Sequence, residues 1–345
     1  MRLRARRPAS ANAISISLLH GASAGAPSQG ATVDHYGHVV PDNPAGQASD
    51  RPTQRQVPVI LAFGLKPERF VGQEGRIDAV LEPPAAEKAD VLVQALSSGI
   101  EASGYVIAVL PQWFPPEGAL RLGMARSMLD TDRVAVHETA LPPLAAAVLC
   151  SLASSLAPHV PSAGVLASLL PELEAELYVF TWLGSVSGLS APAPSFGQHL
   201  ASLGPNSAFG VSSWPEPSVH KISSGAPGVP LPEIERPSRM VVAPRNGDTA
   251  WARETVNKAL GGLPVAEVEP TPNGPSWWGT SKVVESVVFP VDIPELAADL
   301  LAEQEQWVCR WCRELIARSP CPLCGHRGRP VRRRPQPQHQ QGGLR

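Results

Sequence analysis

The sequence predicts an α/β fold, with a Rossmann-like, mostly parallel sheet in the first half, a smaller α/β unit in the second half and a four-cysteine element near the C-terminal end. Three observations lead to this prediction. Strand-like and helix-like segments alternate, which is typical of parallel strands joined by helical crossovers. The strand-like segments are apolar throughout, as expected for strands buried on both faces. Four of the five cysteines fall between Cys309 and Cys324.

The composition indicates a folded protein with polar ends. The chain has 345 residues, of which 43% are hydrophobic, so it can bury a sizeable core. Residues 1–55 are rich in Pro, Gly, Ser and Ala and carry four arginines before the first acid, which predicts a disordered basic tail. The small number of cysteines argues against a disulfide-stapled secreted scaffold and favours a reducing, cytoplasmic compartment.

The predicted α/β domain covers residues 56–190. Apolar runs predict strands, and segments with apolar residues at helical spacing, all three with prolines at their start, predict the helices between them. In chain order we expect a strand at 57–65, a helix at 83–102, a strand at 104–111, a helix at 115–129, a strand at 132–138 and a helix at 141–157. The first strand is not followed by a glycine-rich phosphate-binding motif, so the sequence does not indicate a nucleotide site.

Residues 139–215 form an unusually apolar stretch, with Glu172, Glu174 and Glu176 as its only charged residues apart from histidines. Membrane association is therefore an alternative. Each apolar run is shorter than the roughly 18–20 residues needed to cross a bilayer, and prolines separate the runs. The sequence favours buried core helices.

The second half begins with a predicted irregular connection at residues 191–238, which are rich in Ser, Pro and Gly. Residues 239–306 predict a small α/β unit. Its last element is expected to be a helix that begins near Pro294 and continues through the first pair of cysteines.

The cysteines predict a metal site at residues 307–326. Two CxxC pairs supply four thiolates, which suits zinc in a closed structural site of the zinc finger type. The predicted ligands are Cys309, Cys312, Cys321 and Cys324. The first pair is expected on a helix and the second in a tight turn, with His326 as a substitute ligand or a neighbour of the site. An iron–sulfur cluster and a set of redox-active thiols are the alternatives.

The chain ends in a basic segment, residues 327–345, which is predicted to be disordered. Subtracting the +4 of residues 1–33 and the +8 of residues 307–345 from the net charge of −2 leaves about −14 on residues 34–306. An arginine-rich arm on an acidic body suggests contact with a protein or a nucleic acid. The predicted partner-binding residues are Arg327, Arg329, Arg332, Arg333 and Arg334.

The sequence offers no convincing catalytic residues. His137 and Glu138 stand at the end of a predicted strand, but neighbouring side chains on a strand point to opposite faces. The leading functional prediction is therefore a zinc-binding protein that acts as a binding or regulatory module for a protein or nucleic-acid partner. The alternatives are an enzyme with a Rossmann-like domain and a structural zinc, and a membrane-associated component.

Overall fold

The computed structural model describes residues 57–65, 77–81, 89–202, 204, 207–223 and 226–331, and for residues 77–81 it describes the backbone alone. The predicted N-terminal tail, residues 1–55, lies outside these ranges. Of the predicted C-terminal tail, only residues 327–331 are described.

The first sheet has four parallel strands in the order β2-β1-β3-β4. Three of these strands arise from the predicted apolar runs. Strand β2 was not predicted, because it is only five residues long and lies between two charged residues, Arg76 and Glu82. The strands are β1 (Val59–Phe63), β2 (Ile77–Leu81), β3 (Val106–Pro111) and β4 (Val134–Thr139).

Two pairs of helices cover the two faces of this sheet. Because side chains alternate along a strand, Leu61 and Phe63 pack on one pair, while Ile60 and Ala62 pack on the other. The outer pair is α1 (Ala89–Ser103) and α2 (Pro116–Leu129), and the inner pair is α3 (Pro143–Leu156) and α4 (Ala163–Ala175).

The second sheet has six strands in the order β7-β6-β5-β10-β8-β9, antiparallel except for the pair β8–β9. The strands are β5 (Tyr178–Leu183), β6 (Phe209–Trp214), β7 (Ser218–Lys221), β8 (Ser238–Arg245), β9 (Val265–Glu267) and β10 (Val283–Pro290). The helices are α5 (Phe196–Ala201), a π-helical turn (Trp251–Val256) that continues into α6 (Asn257–Ala259), α7 (Gly274–Trp278) and α8 (Ile293–Ala302). The segment for which the sequence predicts an irregular connection thus contains α5, β6 and β7.

Helix α3 lies at the centre of the protein. All of its 14 residues are buried, because the first sheet packs on one side and strands β5, β8 and β10 of the second sheet pack on the other. A helix that is apolar on every face needs such surroundings. The apolar composition of α3 therefore reflects burial between two sheets. Within the described part of the chain, no helix combines the length and apolarity needed to span a bilayer.

The last described elements form a small antiparallel sheet of three strands in the order β12-β11-β13. These are β11 (Trp307–Cys309), β12 (Leu315–Ile316) and β13 (Gly328–Pro330). We call residues 307–330 the ribbon. The prediction of one helix from Pro294 through the first cysteines is wrong, because α8 ends at Ala302 and β11 pairs with strands on both sides.

Candidate metal centre

The four cysteine sulfur atoms of the ribbon lie within 4.8 Å of one another. Cys309 Sγ is 3.4 Å from Cys324 Sγ, and Cys312 Sγ is 3.7 Å from both Cys321 Sγ and Cys324 Sγ. A zinc ion with four thiolates at about 2.3 Å places the sulfurs about 3.8 Å apart, at the corners of a tetrahedron. The cluster therefore has the dimensions of a four-coordinate metal site.

Both cysteine pairs lie in tight turns. The backbone N–H groups of Trp311 and Cys312 donate to Cys309 Sγ, and those of Leu323 and Cys324 donate to Cys321 Sγ. The first turn is followed by Arg313 (φ 64°) and the second by Gly325 (φ 75°). Both residues adopt the left-handed conformation that lets a chain turn back sharply. The first cysteine pair, which was expected on a helix, therefore lies in a turn of the same kind as the second pair.

The electrostatics of the cluster favour a bound cation. Burial raises the pKa of the Cys309 thiol, but the N–H groups of Trp311 and Cys312 and the neighbouring thiols lower it to about 7 overall. Burial, followed by the crowding of the other three sulfurs, raises the pKa of Cys312, and burial raises that of Cys321 to about 11. Four crowded thiolates would repel one another. A divalent cation would offset this repulsion, because it stabilises all four thiolates at once.

The neighbouring histidine is not a fifth ligand. The ring of His326 stacks on Trp311, with the ring centroids 4.9 Å apart and the planes at 11°. Its Nδ1 lies 3.1 Å from the carbonyl oxygen of Cys324, which can only accept a hydrogen bond. His326 therefore braces the second turn, and the four sulfurs form a closed set. Such closed sets are typical of structural metals, since catalytic sites keep one position open.

The ribbon is fastened to the body through Glu314. One carboxylate oxygen accepts a hydrogen bond from the Tyr105 hydroxyl at 2.9 Å, and the other lies 3.4 Å from the Gly164 N–H in the first turn of α4. Ser162, the N-cap of α4, donates to the Leu315 carbonyl at 2.8 Å. Burial and the hydrogen bond to Glu314 raise the pKa of Tyr105 to about 12, which keeps its hydroxyl protonated as a donor.

Three further contacts extend this attachment. Arg126, in the last turn of α2, donates to the Leu323 carbonyl at 2.6 Å, and Trp311 Nε1 donates to Asp132 at 2.8 Å. Ala317 N–H donates to the Ser168 hydroxyl at 3.2 Å. Tyr105 precedes β3 and Asp132 precedes β4, so the ribbon covers the edge where the parallel strands begin. Ligands of open α/β sheets bind at the opposite edge, where the strands end.

The predicted partner-binding arginines are only partly described. Arg327 and Arg329 lie in the last part of the ribbon, and Arg329 pairs with Val308 across the small sheet. Arg332, Arg333 and Arg334 lie outside the described residues. The contact of this arm with a protein or a nucleic acid stays a prediction.

His137 has a carboxylate partner that the sequence did not predict. Its Nε2 lies 2.9 Å from Glu174 Oε1, and both side chains are about one-tenth exposed. Glu174 is in the last turn of α4, whereas the adjacent Glu138 is exposed. The fold therefore brings together two residues 37 positions apart, which no local motif could reveal.

Glu285 is a second buried acid that the sequence analysis missed. It lies in β10 and faces the first turn of α3. Its carboxylate accepts hydrogen bonds from Thr271 Oγ1, Trp278 Nε1 and the Leu144 N–H. Burial raises its pKa, although these donors act in the opposite direction. The available signal was a single acid within the apolar run of 283–290, which is unusual unless the acid has buried partners.

Comparisons with known proteins find similar solved structures but no match in sequence. No protein-family model matches the chain, and no curated protein matches it in sequence. A DegV family protein from Corynebacterium glutamicum is 12% identical, with a TM-score of 0.45 over 68% of this chain and 97% of that one. A Thermotoga maritima protein described as revealing fatty acid binding is 12% identical, with a TM-score of 0.47 over 69% of this chain and 100% of that one. The dihydroxyacetone kinase of C. freundii is 11% identical, with a TM-score of 0.45 over 82% of this chain and 54% of that one.

The chain thus has an α/β fold with a parallel and a mixed sheet, similar to the DegV and dihydroxyacetone kinase folds. The prediction of a zinc-dependent binding or regulatory module for a protein or nucleic acid is wrong. Solved structures of similar fold include a DegV family protein described by its fatty acid binding, a DegV protein described as lipid-binding, and a dihydroxyacetone kinase. The position of the ribbon agrees with this correction. Glu314 and the Leu323 carbonyl form hydrogen bonds with the body, and the buried side chains of Ile316 and Leu323 pack against it.

Proposed function

We propose that the ribbon binds one zinc ion through Cys309, Cys312, Cys321 and Cys324, and that this zinc is structural. The observation that carries the proposal is the set of sulfur–sulfur distances of 3.4 and 3.7 Å, close to the edge of a zinc–thiolate tetrahedron. An iron–sulfur cluster fits less well, because several irons and sulfides must lie between the cysteine sulfurs, and these four all lie within 4.8 Å.

The role of the metal follows from the attachments of the ribbon. The ribbon is too short to build its own hydrophobic core, and small elements of this size usually depend on a metal. Once the metal fixes the two cysteine turns, Glu314 is held between Tyr105 and the first turn of α4. The zinc therefore holds the ribbon over the edge where the parallel strands begin.

The test is the metal content and visible spectrum of the purified full-length protein. We expect about one zinc per chain and no absorption in the visible range. The Cys309→Ser variant should lose most of the zinc, whereas the Cys150→Ser variant should keep it, because Cys150 is buried in α3 away from the cluster. Iron with sulfide, or no metal in protein purified without chelators, would contradict the proposal.

A second candidate function concerns the body. Two DegV family proteins of similar fold are described as binding or carrying a fatty acid, and one observation in this chain favours a similar ligand. The layer around α3 is apolar, yet the hydroxyl of Thr181 in β5 is fully buried with no hydrogen-bond partner among the described residues. A buried hydroxyl without a partner costs about 1–3 kcal/mol, so it is a natural donor for the carboxyl group of an apolar ligand.

Titration with palmitic acid, followed by native mass spectrometry, tests this candidate. We expect one fatty acid per chain, weaker binding by the near-isosteric Thr181→Val variant, and weaker binding of palmitic acid methyl ester. Thr139→Val is the matched control, because Thr139 is equally buried but its hydroxyl already accepts a hydrogen bond from the Leu141 N–H. Equal affinity of all three proteins for the acid, or no binding, would exclude the candidate.

A further inference from the structure

The four cysteines of the cluster differ in their access to solvent. Cys309 is 0% exposed and Cys321 is 2% exposed, whereas Cys312 and Cys324 are only half-buried. The sulfur atoms of these two more exposed residues are direct neighbours, 3.7 Å apart. A small oxidant that reaches the cluster from solvent therefore meets these two residues first.

We propose that Cys312 and Cys324 form an oxidation site, at which hydrogen peroxide converts the two thiolates to a disulfide and releases the metal. This inference rests on the proposed zinc site. Closed zinc–thiolate sets hold reactive thiolates without an open position on the metal, so the chemistry takes place at sulfur.

The reaction balances with peroxide as the only oxidant. The thiolate of Cys312 or Cys324 attacks one peroxide oxygen, so that an S–O bond forms, the O–O bond breaks and hydroxide leaves. The other thiolate then attacks the resulting sulfenic acid, so that the S–S bond forms, the S–O bond breaks and a second hydroxide leaves. Two thiolates and one peroxide thus give one disulfide and two hydroxides. Two of the four sulfurs that would hold zinc are then no longer available as ligands, so the remaining pair, Cys309 and Cys321, would bind the ion only weakly.

A competing pair is Cys309 and Cys324, whose sulfurs are closer, at 3.4 Å. Two features disfavour Cys309 as the second thiolate. Its sulfur accepts two backbone hydrogen bonds, from the N–H groups of Trp311 and Cys312, whereas the sulfur of Cys312 accepts one, from the Glu314 N–H. Its backbone is fixed in the sheet, where Cys309 N–H donates to the Glu314 carbonyl and Cys309 pairs with Gly328. Cys312 lies in the turn, before the left-handed Arg313, and its backbone is not part of the paired strands.

The oxidation should loosen the ribbon from the body. A disulfide shortens the sulfur–sulfur distance from 3.7 Å to about 2.05 Å. Cys312 is two residues from Glu314, which contacts Tyr105, and Cys324 follows Leu323, which contacts Arg126. When these two cysteines move and the metal is lost, the Glu314–Tyr105 and Leu323–Arg126 hydrogen bonds are both strained. Exposure to peroxide would therefore weaken the attachment of the ribbon to the body.

The experiment uses full-length zinc-loaded protein with the Cys150→Ser variant as the matched control. Zinc content is measured before hydrogen peroxide is added. Release of zinc is then followed with a chromogenic chelator, and disulfides are mapped by mass spectrometry of tryptic peptides without reduction. We expect release of one zinc per chain, loss of two thiols, a Cys312–Cys324 disulfide, and identical behaviour of Cys150→Ser.

The outcomes separate the two proposals. Protein without zinc before oxidation would contradict the zinc site itself. Zinc that is present but stays bound in peroxide, or zinc release with a disulfide that contains Cys309 or Cys321, would overturn the oxidation site and leave the zinc site intact. Recovery of zinc binding after reduction with a thiol reagent would support the assigned disulfide, because over-oxidised cysteines do not return to thiols.

Discussion

The ribbon and the layer around α3 are stabilised in opposite ways. The layer has a helix with all 14 residues buried between two sheets, and its side chains are almost entirely apolar. The ribbon has three strands of two or three residues each, and it is held by four sulfurs and a few polar contacts with the body. The layer is thus stabilised by its own apolar contacts, whereas the ribbon would depend on the proposed metal and on the surface beneath it.

This difference implies that the two regions should respond to different perturbations. Burial of apolar area is spread over many side chains, so one substitution removes a small part of it. A metal site concentrates its stabilisation in one ion, so its loss removes most of it at once. Four perturbations test this contrast, from the largest expected effect to the smallest.

Removal of the metal should have the largest effect, and it should be confined to the ribbon. Structural zinc contributes about 10–16 kcal/mol of apparent binding free energy in zinc-finger peptides. After chelation, hydrogen exchange at the N–H groups of Cys309 and Gly325 should approach the rate of an unfolded chain, because these groups bond within the ribbon. Amides in α3 should stay protected. Equal loss of protection in α3 would show that the ribbon and body unfold as one unit.

Truncation of a central leucine should have the next largest effect, and it should affect the body first. Leu149→Ala removes a fully buried side chain from α3 and should lower the free energy of unfolding by about 2–5 kcal/mol. Zinc content should stay the same. Leu120→Ala is the control, because Leu120 in α2 is 67% exposed and its truncation should change stability by less than about 0.5 kcal/mol. Urea denaturation at equal zinc occupancy measures both effects.

Gly164→Ala probes the contact between the two regions. A Cβ at this position would lie 2.5 Å from the Leu315 carbonyl oxygen and 2.6 Å from Glu314 Cγ, so the ribbon would have to shift. We expect a loss of about 1–3 kcal/mol and faster transfer of zinc to a chelator. In Gly123→Ala, the new Cβ meets no atom within 4 Å, so this control should be stabilised by up to about 1 kcal/mol. Unchanged zinc transfer in Gly164→Ala would mean that docking does not support the metal site.

Glu285→Gln should have the smallest effect, and this effect should depend on pH. Burial raises the pKa of Glu285 in the folded protein, while the unfolded chain keeps a value near 4.5. Between these two values the unfolded state binds fewer protons, so wild-type stability should fall as pH rises above about 4.5. The variant cannot lose this proton and keeps an acceptor for Trp278 and Leu144. Its stability relative to wild type should therefore increase with pH, and a constant difference in urea midpoint would contradict this assignment.

The sequence predicted the first sheet well because parallel strands leave a strong local signal. Strands β1 and β3 are continuous apolar runs, β4 begins with three apolar residues, and α2 and α3 each begin with two prolines. The apolar helices were correctly placed in a core, but the partner on their second face was not predicted. The six-stranded sheet that covers α3 is assembled from strands far apart in sequence, including β6 and β7, which lie in a segment rich in Ser, Pro and Gly.

The cysteine cluster shows a different limit. The spacing of the residues predicted which sulfurs come together, because the chemistry of four paired thiols is independent of the local backbone. The backbone itself was predicted wrongly, since the segment after Pro294 continues a helical pattern through Trp311. The pairing of β11 with β12 and β13 overrides this local preference. Glu314, His137 and Glu285 contact residues that are distant in the sequence, so local sequence patterns cannot predict these contacts.

The position of the ribbon over the starting edge of the parallel strands has a consequence for biosynthesis. Residues 57–302 leave the ribosome before the ribbon does, and domains form as their residues emerge. Until the ribbon arrives, Tyr105, Arg126 and Asp132 face solvent without the partners that they have in the mature protein. Binding of the metal is then the step that completes the attachment of the ribbon to the body. In cells short of zinc, nascent molecules would accumulate with this edge uncovered, where chaperones and proteases could recognise them.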